Sequence, residues 1–168
     1  MDSRELLKSR LAYVRRDLDE AVSRLTDEDM GWAPAEGMRT IGGQLHEIAA
    51  TELQDIALFR GETTRFDEIA KGAKRGTLAE YKELLAATRG ELIALIDSLS
   101  EADLAKPLQV DPRWFESFGN SEVPLAEAIR SVAMHEWYHT AQLVSYLWAK
   151  GDNPYDWGKE GAANAQSG

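Results

Sequence analysis

The sequence predicts an all-α protein, a single four-helix bundle with long connections before its second and last helices. Three observations predict it. Four long stretches carry apolar residues at steps of three and four, the period of a helix with one buried face. Each stretch is bounded by capping residues or by glycine and proline. No stretch alternates apolar and polar residues convincingly enough to read as a strand, which leaves helix packed on helix as the architecture. A chain of 168 residues with 43% hydrophobic residues fits one domain with a core of its own. We place the bundle at residues 1–155 and expect a flexible tail at 156–168.

The first helix runs from Ser3 to Leu25, with Leu6, Leu7, Leu11, Val14, Leu18, Ala21, Val22 and Leu25 on its apolar stripe. The polar cluster Thr26-Asp-Glu-Asp29 ends it, and Gly31, Pro34 and Gly37 mark a connection that does not stay helical for long. Thr40 is a suitable N-cap for the second helix, from about Ile41 to Arg60, which Gly61 stops. Residues 61–76 are charged and glycine-punctuated and read as a loop with a short helical turn around Phe66 to Ala70. Thr77-Leu-Ala-Glu80 is a capping box, and it opens a helix that reaches Leu99. Ser100-Glu-Ala-Asp-Leu104 then repeats the punctuation of Thr26-Asp-Glu-Asp-Met30, a recurring turn at a helix end. Residues 105–123 hold Pro107, Pro112 and Gly119 with Trp114, Phe115 and Phe118, a connection long enough to be functional or a crossover. Its aromatics read as anchors to the core in preference to a lid. Pro124 suits the first turn of the last helix, and Gly151 with Asn153-Pro154 ends that helix.

A formal net charge of -10 opposes binding to phosphate backbones or anionic lipid, so no nucleic-acid or membrane partner is expected and a small-molecule substrate is favoured. No run approaches the ~18 apolar residues of a spanning helix, and the N-terminus carries no secretory signature, so a cytoplasmic location is expected. The chain contains no cysteine, which removes thiolate ligands, disulfides and a cysteine nucleophile of its own.

The chemistry concentrates in the three histidines. His135 and His139 are four residues apart on the last helix, so both imidazoles can address one ion from one face. His46 shares its side of the second helix with Gly42, Ala49, Ala50, Leu53 and Ala57 and reads as inward-facing. A single histidine on an apolar face is more often a hydrogen-bonded core residue than a ligand. Here, however, every histidine of the chain falls on an inward face. Three imidazoles would hold one divalent transition metal at ~2.0–2.1 Å and leave a position open, the arrangement of catalytic or ligand-binding sites. Imidazole suits zinc and nickel, and copper and iron as well. His135-Glu136-Trp-Tyr-His139 also matches the zincin pattern, with Glu136 as candidate base in a hydrolase. The third ligand such a protease needs has only Glu160 as a downstream candidate, in the expected tail. Gln142 and Tyr146 lie on the histidine line and are positioned to hydrogen-bond a ligand or substrate. Lys71, Lys74 and Arg75 can recognise a carboxylated thiol, but the acidic residues nearby favour a solvated loop.

These residues resemble the DinB/YfiT-like superfamily of bacterial metal-binding four-helix bundles. The resemblance rests on four segments in order: Leu25-Thr-Asp-Glu-Asp-Met-Gly-Trp32-Ala-Pro34, Thr40-Ile-Gly-Gly-Gln-Leu-His46-Glu-Ile-Ala, Leu99-Ser-Glu-Ala-Asp-Leu104 and His135-Glu-Trp-Tyr-His139-Thr-Ala-Gln142-Leu. It spans roughly residues 3 to 150. It implies His46, His135 and His139 as ligands of zinc, nickel or a similar ion, and a homodimer. It also implies a reaction: some members transfer low-molecular-weight thiols (bacillithiol, mycothiol or glutathione) to electrophiles or use them in isomerisation. The sequence has His139-Thr-Ala-Gln142 where the family often has His-Arg-Gly-Gln, which removes an arginine from that position. Two alternatives stand beside thiol transfer: a metal-dependent hydrolase using Glu136, and a non-catalytic metal- or ligand-binding stress protein.

Overall fold

The computed structural model describes residues 2–110 and 122–158. Its helices are α1 (Ser3–Ser23), α2 (Ile41–Phe59), α3 (Phe66–Ala73), α4 (Leu78–Ser98), α5 (Glu101–Leu104) and α6 (Leu125–Ala149). The caps explain the boundaries. Asp2 accepts from the Glu5 N–H at 2.9 Å, Thr40 from Gly43 at 3.0 Å, and Thr77 with Glu80 forms the capping box that opens α4. The repeated polar turns are both capping boxes. Thr26 with Asp29 opens a 3-10 turn at Asp27–Asp29, and Ser100 with Asp103 opens α5. Gly61 and Gly151 take φ of 74° and 98° just past α2 and α6, a left-handed stop that L side chains resist.

The four long helices form a ring: α1 lies against α6, α6 against α2, α2 against α4, and a narrower contact joins α4 to α1. Two apolar clusters, one toward each end, set the directions. Leu7, Leu11, Ile56, Leu92, Ile96, Leu125 and Ile129 share one cluster. Leu18, Val22, Ile41, Leu45, Leu78, Leu85, Leu143 and Leu147 share the other. Thus α1 and α6 run one way, and α2 and α4 the other. Sequential helices α1 and α2, like α4 and α6, sit across the ring from each other, which is why the connections before α2 and α6 are long. The segment between α2 and α4 must return the whole length of the bundle, and α3 packs on α2 along the way.

Two details add to this outline. The connection before α6 contains a short antiparallel ribbon, β1 (Pro107–Gln109) and β2 (Glu122–Pro124), with Leu108 opposite Val123. Three-residue strands are too short to register as an alternating pattern. At the other end, the chain just past α6 is anchored through Trp157. Trp157 packs against the Leu143 cluster, donates its indole N–H to Asp152 at 2.8 Å, and lies under the Arg24 guanidinium at 4.5 Å. Trp114, Phe115, Phe118 and Glu160 lie outside the described residues. No helix among those described is long and apolar enough to cross a membrane.

Candidate metal centre

The last helix delivers His135 and His139 one above the other, their ring centroids 4.5 Å apart and their Nε2 atoms 3.1 Å apart. Across from them, α2 presents Gln44 and Glu47, one turn apart. Ligand atoms of Glu47, His135 and His139 all lie within 4.8 Å of one another. Two donors held at about 2.1 Å by a tetrahedral ion sit a little over 3 Å apart, so the histidine pair is already at ligand spacing.

The local backbone explains how α2 comes this close with an arginine above it. The N-terminus of α2 is capped by Thr40 and tied back to the preceding turn by Gly42 N–H to Met30 C=O at 2.9 Å. A Cβ at Gly42 would meet that carbonyl oxygen at 3.0 Å, and one at Gly43 would meet Arg39 Cγ at 2.6 Å. Gly42 therefore lets the Met30 turn close on α2, and Gly43 lets Arg39 fold down over the first turn. There its guanidinium reaches Glu47 at 3.3 Å.

A chain of hydrogen bonds runs inward from this corner. Tyr146 O–H donates to the Arg39 carbonyl at 3.0 Å, and Gln44 Nε2 donates to the Tyr146 oxygen at 3.1 Å. Gln44 Oε1 then faces His139 Nδ1 at 2.5 Å, and Gln142 Oε1 faces the same nitrogen at 3.0 Å. Gln44, Tyr146 and His139 are buried, and His135 is half-buried. Burial pushes the His135 pKa down to about 4, helped by His139 and by the Arg39 charge. Burial also lowers His139, against a raising contribution from the Gln142 hydrogen bond. Both shifts favour the neutral ring, the state in which imidazole ligates metal.

The structure brings together His135, His139, Gln142 and Tyr146 as the sequence suggests, but the residue that joins the histidine pair is Glu47, one position beyond His46. One residue on a helix is a 100° turn. Gln44 and Glu47 face α6, whereas His46 stands on the far side of α2 from Gln44. His46 is half-buried, and its Nδ1 is buried with no hydrogen-bond partner among the described residues.

Glu136 is placed elsewhere. Arg15 reaches both of its oxygens, at 3.3 and 2.8 Å, and Arg89 reaches one at 2.7 Å. The same two guanidiniums bind Glu52, at 3.2 and 2.7 Å, and Thr88 adds a hydroxyl to Glu52 at 3.1 Å. One charged residue from each long helix thus forms a closed layer between the two apolar clusters. The lone pairs a general base would need are committed there.

A groove of about 730 Å³ lies elsewhere, between the outer faces of α1 and α6, with Tyr13, Met134, Trp137 and Tyr138 among its walls and none of the ligand candidates.

The sequence profile of the DinB superfamily matches residues 10–143. The chain belongs to the DinB superfamily. Among solved structures, a conserved protein from Enterococcus faecalis has the same fold, with a TM-score of 0.63 at 16% identity over 86% of this chain and 95% of that one. Comparison with curated proteins gives no match. The residues of this DinB-superfamily chain fit a metal: the donors are nitrogen and oxygen, they converge from two helices, and the Nδ1 side of His139 is already occupied by amide oxygens. Gln44, Glu47 and Arg39 escaped the sequence reading. The signal that could have found them is the three-residue step from Gln44 to Glu47 on the face that meets His139.

Proposed function

We propose that this chain is a metal-dependent enzyme in which His135, His139 and Glu47 hold one divalent transition metal, zinc or nickel first, and a low-molecular-weight thiol is activated for transfer to an electrophile. The observation that carries the reading is the convergence of two imidazoles and one carboxylate, their ligand atoms within 4.8 Å of one another. Three protein ligands leave coordination open to a small molecule. When bound, such an ion supplies the Lewis acidity that keeps a thiol donor deprotonated near neutral pH.

The chain's own residues do the rest. Glu47 contributes the one carboxylate of the group, and Arg39, with 44% of its side chain exposed, places a cation at the rim where an anionic substituent of the thiol can be held. The transfer itself is a substitution: the thiol proton leaves to solvent, the sulfur pair forms the bond to the electrophilic carbon, and the leaving group departs with its electrons. The absence of cysteine from the chain means the sulfur must come from a cosubstrate. The hydrolase reading has less support, because Glu136 is held by two arginines. The homodimer implied by family resemblance remains a proposal, testable by sedimentation.

Metal content of untagged protein tests the centre. Near one equivalent in the parent and in His46→Ala, with little in Glu47→Ala or His135→Ala, is the expected result. Loss in His46→Ala with retention in Glu47→Ala would overturn the ligand set. Metal-loaded protein that conjugates none of the common bacterial thiols across a panel of electrophiles would overturn the reaction.

A further inference from the structure

We infer that Gln44, held by Tyr146, is a positioning residue that fixes His139 as its Nδ1–H tautomer and so aims the Nε2 lone pair into the centre. The inference rests on the metal-centre reading above and deepens it. The argument is an accounting of donors. The Arg39 carbonyl can only accept, so the single Tyr146 proton is spent on it at 3.0 Å. The Tyr146 oxygen must then accept, and the group 3.1 Å away that can donate is the Gln44 amide nitrogen. Turning that amide over would set its oxygen against a phenol oxygen whose proton is already used. Gln44 therefore presents Oε1 to His139, at 2.5 Å, and an oxygen without a proton obliges Nδ1 to carry one. Gln142 repeats the demand with a second amide oxygen at 3.0 Å.

A neutral imidazole has one N–H, so His139 Nε2 is a bare lone pair. Its neighbour 3.1 Å away, His135 Nε2, is then the donor in protein stripped of metal. The two histidines are thereby unequal. His139 is ready for an ion, and His135 must move its proton to Nδ1 to become a ligand. These bonds lie at the corner where α2 meets α6, and Tyr146 with Gln44 is buried there, so water does not compete for them.

The test uses the full chain with histidine labelled at its ring nitrogens. In chelator-treated protein, two-bond nitrogen–proton correlations should give His139 with Nδ1 protonated and His135 with Nε2 protonated. Removing both amide acceptors in Gln44→Leu/Gln142→Leu should give His139 mixed tautomers and weaken zinc, measured by dye competition, by about 10–100-fold. Gln142→Leu alone leaves the Gln44 acceptor on Nδ1 and should retain both the tautomer and the affinity. Tyr146→Phe removes one hydroxyl, folds with the least disturbance, and should shift the tautomer toward a mixture with roughly 3–10-fold weaker zinc. A parent His139 protonated at Nε2 would overturn the inference, and so would zinc affinities that stay constant while the tautomer changes. A parent with the stated tautomer that takes up no zinc would instead overturn the metal-centre reading, together with the positioning role assigned here.

Discussion

Replacing Glu136 by glutamine removes one charge from the closed ionic layer and leaves its shape. In the parent, Arg15 and Arg89 each divide their guanidinium between Glu136 and Glu52, and further donors reach the Leu85 and Leu11 carbonyls at 2.6 and 2.8 Å. Side-chain exposure is 2% for Glu136 and 11% for each arginine, so water cannot take over the lost contacts. Two cations then face a single carboxylate. Breaking a buried pair from one side costs about 3–5 kcal/mol, because the uncompensated charge stays buried. The variant should therefore unfold in urea with a stability lower by about that amount, which for a chain of this size is a fall in Tm on the order of 10 °C. Adding Arg15→Gln restores the charge balance and should recover part of the loss, a coupling that a double-mutant cycle reads directly. Zinc affinity of the folded Glu136→Gln protein should stay within a few-fold of the parent. A stability loss under about 1 kcal/mol would refute the assignment of Glu136 to the layer. A stable Glu136→Gln variant that binds metal and has lost turnover would return this residue to the role of base.

Saturating zinc should raise the unfolding free energy of the parent by about 2.7 kcal/mol at one hundred times Kd, with no such gain in His135→Ala, as thermal denaturation will show. Gly43→Ala places a Cβ 2.6 Å from Arg39 Cγ, so it should displace Arg39 and weaken conjugation of thiols bearing a carboxylate more than that of uncharged thiols, read as a change in KM ratio. Asp55 is buried beside Glu52, and burial raises its pKa to about 8 from an ordinary 3.8. The folded state thus keeps a proton that the unfolded state releases, so the stability is intact below about pH 4 and falls as pH rises toward 8, by on the order of 1 kcal/mol per unit. Asp55→Asn should match the parent at acid pH and exceed its stability at pH 7; identical urea curves at both pH values would refute the burial of a neutral Asp55.

Periodicity was enough for the long helices because each one alternates contact with the core and contact with water. On α1 the predicted stripe residues Leu7, Leu11, Val14, Leu18, Ala21 and Val22 are all buried, as is Leu25 just past its end; Leu6, at the edge of the stripe, is exposed. The second helix defeats the same reasoning. Ile41, Gln44, Leu45, Ile48, Ala49, Ala50, Glu52, Asp55, Ile56 and Ala57 are buried around most of its circumference, since α3, α4 and α6 all pack on it. A helical wheel says that such a helix is inside but not which neighbour each side meets. Residue type then misleads: the imidazole of His46 attracts attention, while Glu47 holds the position that faces the pair. Glu136 shows the converse. Its place between two histidines spells a catalytic motif, but its partners Arg15 and Arg89 lie on other helices, and no local pattern announces a contact spanning 121 residues.

The ring order also sets when this protein can come into being. The helix that α1 most needs is the last one made, since the apolar stripe of α1 and the Arg15 guanidinium are completed by α6. At about 5–20 residues per second, translating the 121 residues from Arg15 to Glu136 takes roughly 6–25 s. Through that interval the first helix lacks its broadest apolar contact, and Glu47 stands on α2 without the histidine pair. A nascent chain that stops before α6 therefore leaves the apolar stripe of α1 partly uncovered and Arg15 without its Glu136 partner.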